Sequence, residues 1–92
     1  MNNNKIYKIS YSIPISHYII DGKQTEINSN MVKNYHVCAE NYEKAQQKVK
    51  DEINKLDKIY DYYSTYIIDK EKPLRLFSSD INAYDVLEII NE

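Results

Sequence analysis

The stretch Asn34-Tyr-His-Val-Cys-Ala-Glu-Asn-Tyr-Glu-Lys-Ala-Gln-Gln-Lys-Val-Lys-Asp-Glu-Ile-Asn-Lys-Leu56 changes its hydrophobic period midway, and the rest of the chain must pack around that change. Tyr35, Val37 and Ala39 alternate with Asn34, His36 and Cys38, as in a strand with two distinct faces. Beyond Asn41 the period lengthens, and Tyr42, Ala45, Val49, Ile53 and Leu56 fall on one side of a helix. Asn41 has the short polar side chain that caps the free N–H groups of a first helical turn, so the spacing predicts a helix from about Tyr42 to about Leu56.

Working outward toward the N-terminus, Tyr7, Ile9, Tyr11, Ile13 and Ile15 alternate with polar residues and read as a strand with one buried face. Pro14 lacks an N–H and is expected to end that strand or to mark a sheet edge. His17 to Ile20, then Asp21-Gly22, then Lys23 to Ile27 read as a hairpin, because Asp-Gly suits the positive φ angles of a type I′ turn. Asn28-Ser29-Asn30 is expected to break the chain again before the strand Val32 to Ala39.

Toward the C-terminus, Ile59 to Ile68 is the most β-prone segment, with Tyr60, Tyr62, Tyr63 and Tyr66 occupying both parities. One strand cannot bury all four on one face, so these tyrosines are candidate partner-binding residues. Asp69 to Pro73 reads as a turn and Leu74 to Phe77 as a short return strand. Ser78-Ser79-Asp80 then reads as the cap of a final helix over Ile81 to about Ile90. The expected fold is α+β, an antiparallel sheet of three to five strands with two helices, in an order of roughly β-β-β-α-β-β-α.

Ninety-two residues make one domain, small enough that nearly every apolar stripe is needed for the core and little remains for a deep catalytic cavity. Glycine occurs once, so Gly-rich phosphate loops are absent. The longest apolar runs span only a few residues, which excludes a helical membrane span. A single cysteine, Cys38, cannot close a disulfide within the chain, and no secretory apolar region is expected; a reducing cytoplasm is the expected compartment. Eleven lysines against one arginine, ten tyrosines, ten asparagines and fourteen isoleucines are what A/T-rich codons produce, which points to a low-GC genome or its phages and plasmids.

His17, His36 and Cys38 are the only soft metal-ligand candidates, and His36 with Cys38 supplies two ligands on one strand face, too few for a site; no metal or cofactor is expected. No pair of acids stands in a context that singles it out for acid–base work. Net charge −2 with one arginine argues against direct nucleic-acid binding. Charge is unevenly spread. Residues 1–39 carry four lysines and two acids, whereas Asp80, Asp85, Glu88 and Glu92 stand without a base in residues 77–92. On the expected final helix Asp85, Glu88 and Glu92 form one acidic stripe, a second candidate surface able to meet lysines or arginines of a partner.

The run from Tyr35 through Asn41 to Ala45, a strand ending in Val-x-Ala, a polar cap and a Glu-x-Ala helix start, resembles small α+β proteins encoded by phages and mobile elements. That group includes anti-CRISPR-type inhibitors of host defence, often small acidic domains without catalytic motifs. The resemblance covers about a quarter of the chain and carries over no functional residue. Small size, the tyrosine excess, the composition and the lack of a catalytic constellation lead to an expected non-enzymatic protein acting through a protein partner, one form of which is a nucleic-acid-binding host complex. The resemblance adds a phage or mobile-element inhibitor of host defence as the expected kind. The alternative is a small-ligand or nucleotide-signal sponge with its site at an oligomer interface. A two-faced aromatic strand in so short a chain also leads to an expected homodimer.

Overall fold

The computed structural model describes residues 5–81 and 89–90. Its frame is one long hairpin, β1 (Lys5–Ile20) and β2 (Lys23–Ala39), paired from Lys5↔Ala39 to Ile20↔Lys23. The expected Asp-Gly turn closes it, with φ 51° at Asp21 and 77° at Gly22, the pair of left-handed residues that a type I′ turn needs.

Neither expected interruption of the hairpin occurs. Pro14 lies inside β1 opposite Asn30, and its carbonyl accepts the Asp69 N–H at 2.9 Å. The N–H and C=O of one strand residue point to the same edge, so the missing Pro14 N–H faces the edge that Asp69 approaches. There β4 (Thr65–Ile68) stops opposite Ile15 and β5 (Arg75–Ile81) starts opposite Ser12, and no ladder needs a donor from Pro14. Asn28-Ser29-Asn30 is likewise absorbed. The register slips by one between Ile15 and His17, and the asparagines bond sideways, Asn30 Nδ2 to Ser12 Oγ at 2.9 Å and Asn28 Oδ1 from Lys72 Nζ at 2.8 Å.

The helix α1 (Tyr42–Asn54) forms where the spacing puts it, with Asn41 Oδ1 accepting from the Lys44 N–H at 2.9 Å. Ala45, Val49 and Ile53 are fully buried, while Tyr42 and Leu56 pack half-buried against the same core. They cover Tyr7, Ile9, Tyr11, Ile13 and Ile15 of β1 and Tyr35, Val37 and Ala39 of β2, the residues of one parity in each strand.

The sheet order is β3-β4-β1-β2-β6, where β3 is Lys58–Tyr60 and β6 is Ile89–Ile90; β5 also pairs with β1. Among the described residues five strands are antiparallel, and β6 adds a two-residue parallel pairing with His36 and Val37. The class is α+β as expected, but α1 is the only helix among the described residues, so the expected two helices and their order do not hold. Ser78, Ser79 and Asp80, read as a helix cap, are instead strand residues opposite Ser10, Ile9 and Lys8, and Ile81 lies opposite Tyr7. Pairing with the open edge of β1 overrides the local capping signal. The middle of the expected final helix lies outside the described residues.

The strands β4 and β5 run end to end along the same edge of β1. Residues 69–74 form an excursion between them, carrying Leu74 onto the core. No helix among the described residues is long and apolar enough to cross a membrane.

Candidate interaction surface

The segment Ile59 to Ile68 is a hairpin rather than one strand. Asp61 makes the turn: its Oδ1 accepts from the N–H groups of Tyr63 (2.9 Å) and Ser64 (2.8 Å), and its own N–H donates to the Ser64 carbonyl at 3.0 Å. The Tyr63 and Ser64 N–H groups hold the Asp61 carboxyl below its usual range against a smaller opposing influence of desolvation, and a bond from the Tyr66 side chain adds the least to the lowering.

This turn separates the four tyrosines. Tyr60, Tyr62 and Tyr63 are 72%, 88% and 81% exposed, and the rings of Tyr62 and Tyr63 meet edge-on with centroids 4.6 Å apart. Tyr66 pairs with Ile59 and Tyr18 on the opposite face, half-buried against the core. Three of the candidate tyrosines therefore share one end of the molecule, and the fourth serves the fold and steadies the turn. Asp85, Glu88 and Glu92 lie outside the described residues.

Cross-strand partners share a face, so the pairings define what lies beside Tyr60. On the face turned away from α1, one row reads Lys58, Ile67, His17, Glu26 and the next Tyr60, Thr65, Ile19, Gln24. Ile19 and Ile67 are half-buried in the middle, and Lys58 and Glu26 are exposed at the margins. His17 is fixed within its row by Ser16 Oγ, 2.9 Å from Nδ1. Sequence reading missed Ile19 and Ile67; the alternation of His17, Tyr18, Ile19 and Ile20 was the available signal. It also missed Phe77, 65% exposed where β5 carries an extra residue against Ser10 and Tyr11.

His36 and Cys38 lie on the same face as His17, but His36 pairs with Lys8, about 30 Å up β1 at the usual strand rise, so the three do not converge. Among the described residues no three His, Cys, Asp or Glu side chains are grouped to hold a metal ion. A cleft of about 370 Å³ opens between the C-terminal end of α1 and the 69–74 excursion, lined by Lys50, Lys70, Lys72 and Asp69 over Ile53 and Leu74. Lys70 ties the seam, its Nζ donating to the Asn54 carbonyl at 3.0 Å, and Lys72 Nζ reaches Asn28 on β2.

No protein family, curated protein or solved structure matches the chain.

Proposed function

We propose that this chain is a small non-enzymatic binding protein that acts by occupying a protein partner, with the Tyr62–Tyr63 tip as the principal contact. The observation that carries this reading is the exposure of both rings on a turn closed by three hydrogen bonds to Asp61 and Ser64. A tyrosine offers large contact area with only two side-chain torsions to freeze, and a turn already ordered loses little further entropy on docking. Neither ring stabilises the fold by burial, which leaves both rings available for a contact outside the monomer.

The class of partner follows from composition. An amino-acid composition of the kind A/T-rich codons produce, small size and the resemblance to phage and mobile-element proteins support an inhibitor of a bacterial defence complex, including one that handles nucleic acid. Asp85, Glu88 and Glu92 are the proposed second contact, meeting basic residues of that complex.

The test is affinity capture from a low-GC bacterial lysate with the wild-type chain and with the Tyr62→Ala/Tyr63→Ala variant. A specific protein retained by the first and lost, by about thirtyfold or more in affinity, by the second supports the tip. Capture of no protein by wild type counts against the function itself. Undiminished capture by the variant removes the tip and leaves the acidic residues, tested by replacing all three with lysine at low and high salt.

A further inference from the structure

The face of the sheet away from α1 is left open among the described residues at the Asp21–Gly22 end, and one of its two rows carries opposite charges at its ends. Read across the strands β3, β4, β1 and β2, the first row runs from a cation to an anion, Lys58, Ile67, His17, Glu26. Neither Lys58 nor Glu26 forms an ion pair with another described residue. A row with opposite charges at its ends and isoleucine inside is complementary to its own reversal.

We propose that this face is a two-fold interface with a second copy of the chain. A two-fold axis in the plane between two stacked sheets can run along the strands or across them. An axis along the strands, between β4 and β1, sets β3 of one copy over β2 of the other and β4 over β1. Lys58 then faces Glu26 of the second copy at both ends of the row, Ile67 faces His17, Thr65 faces Ile19, and Tyr60 faces Gln24. An axis across the strands sets Lys58 over Tyr60 and leaves both charges unpaired. Charge complementarity therefore selects the first arrangement, an aligned sheet-on-sheet packing of the ordinary kind.

The face is small. Eight residues on four strands, about 4.8 Å apart, cover a few hundred Å² per copy, below the roughly 800 Å² of a standard stable interface. A face this small belongs with weak, transient interfaces, so the dimer is expected only at high micromolar to millimolar concentration. Because the Asp21–Gly22 and Asp61–Ser64 turns lie at the same end of the sheet, this axis also carries both Tyr62–Tyr63 tips to one end of the dimer.

The experiment is sedimentation equilibrium of the full chain from about 10 μM to about 1 mM, with Lys58→Glu, Glu26→Lys and the double variant, each checked for an intact fold by circular dichroism. The expected result is a concentration-dependent dimer whose dissociation constant rises about tenfold or more in each single variant, where like charges meet twice, and returns toward wild type in the double variant. A monomer throughout the range overturns the proposal. So does a dimer indifferent to the single variants, or one that the double variant fails to restore. If a single variant loses its fold, Ile67→Lys, a substitution at a half-exposed position, takes its place and must abolish the dimer.

Discussion

Asp61 and Ser64 are bonded to each other twice, once from the Ser64 N–H to the Asp61 carboxylate at 2.8 Å and once from the Asp61 N–H to the Ser64 carbonyl at 3.0 Å. That closure holds the Tyr62–Tyr63 tip. The bonds are made to the charged carboxylate, so the folded chain binds the Asp61 proton more weakly than the unfolded chain does. The stabilisation they give is present above the ordinary aspartate value and is lost as pH falls through the lower folded value. NMR titration of the Asp61 carboxyl should find it below the usual aspartate range. Asp61→Ala should speed amide exchange at Tyr63 and Ser64 while leaving Val37 protected.

Gly22 tests the hairpin. At φ 77° a Cβ would meet nothing within 4 Å, so the penalty for Gly22→Ala is that of the backbone conformation alone, about 1 kcal/mol. Asp21, at φ 51°, tolerates asparagine, which suits the first position of a type I′ turn. Urea denaturation should therefore show Gly22→Ala destabilised and Asp21→Asn equal to wild type or slightly more stable.

The contact of α1 with the sheet separates packing from capping. Ile53 is 1% exposed in the core cluster, and Ile53→Ala removes buried methyl groups and leaves a cavity. The expected loss is about 2–5 kcal/mol. Asn41→Ala removes one bond at an exposed helix end and should lose about 1 kcal/mol. Chemical denaturation that ranked the two in the opposite order would show that the helix does not depend on its buried stripe.

What was legible in the sequence was whatever depends on local period and local caps. The stripe Ala45, Val49, Ile53, the cap Asn41, the odd-numbered face of β1 and the Asp21–Gly22 turn all read directly, because each is determined within a few residues. Pro14 faces a gap in the β1 edge, as one of its two readings had it, but does not end the strand, and the break at Asn28 to Asn30 misled because Lys72, which bonds Asn28, lies far along the chain. Ser78 to Asp80 misled for a related reason, since their strand exists only against Ser10, Ile9 and Lys8. For the candidate surface, the excess of tyrosine was visible, but the side on which each ring falls was not. The Asx turn at Asp61 reverses the chain and sends Tyr66 to the core and Tyr62 and Tyr63 to the tip.

Two core tyrosines of opposite bonding give the last prediction. The Tyr11 hydroxyl is buried with no hydrogen-bond partner among the described residues, whereas the Tyr42 hydroxyl, at the first turn of α1, bonds the Ser79 hydroxyl on β5. Removing a bonded hydroxyl loses a net bond, and removing an unpartnered one relieves a desolvation penalty. Tyr42→Phe should lose about 1 kcal/mol, and Tyr11→Phe should be neutral or stabilising at pH 7. Burial, and secondarily the neighbouring Tyr42, raise the Tyr11 pKa above the usual tyrosine value, so the unfolded chain ionises first as pH rises. Stability from this group is therefore complete below the usual tyrosine pKa near 10 and falls as pH climbs from there toward the higher folded value. Urea denaturation of wild type and Tyr11→Phe at pH 7 and near pH 11 should show the variant losing less stability over that interval. Equal losses would mean that Tyr11 reaches solvent or finds a partner in the folded chain.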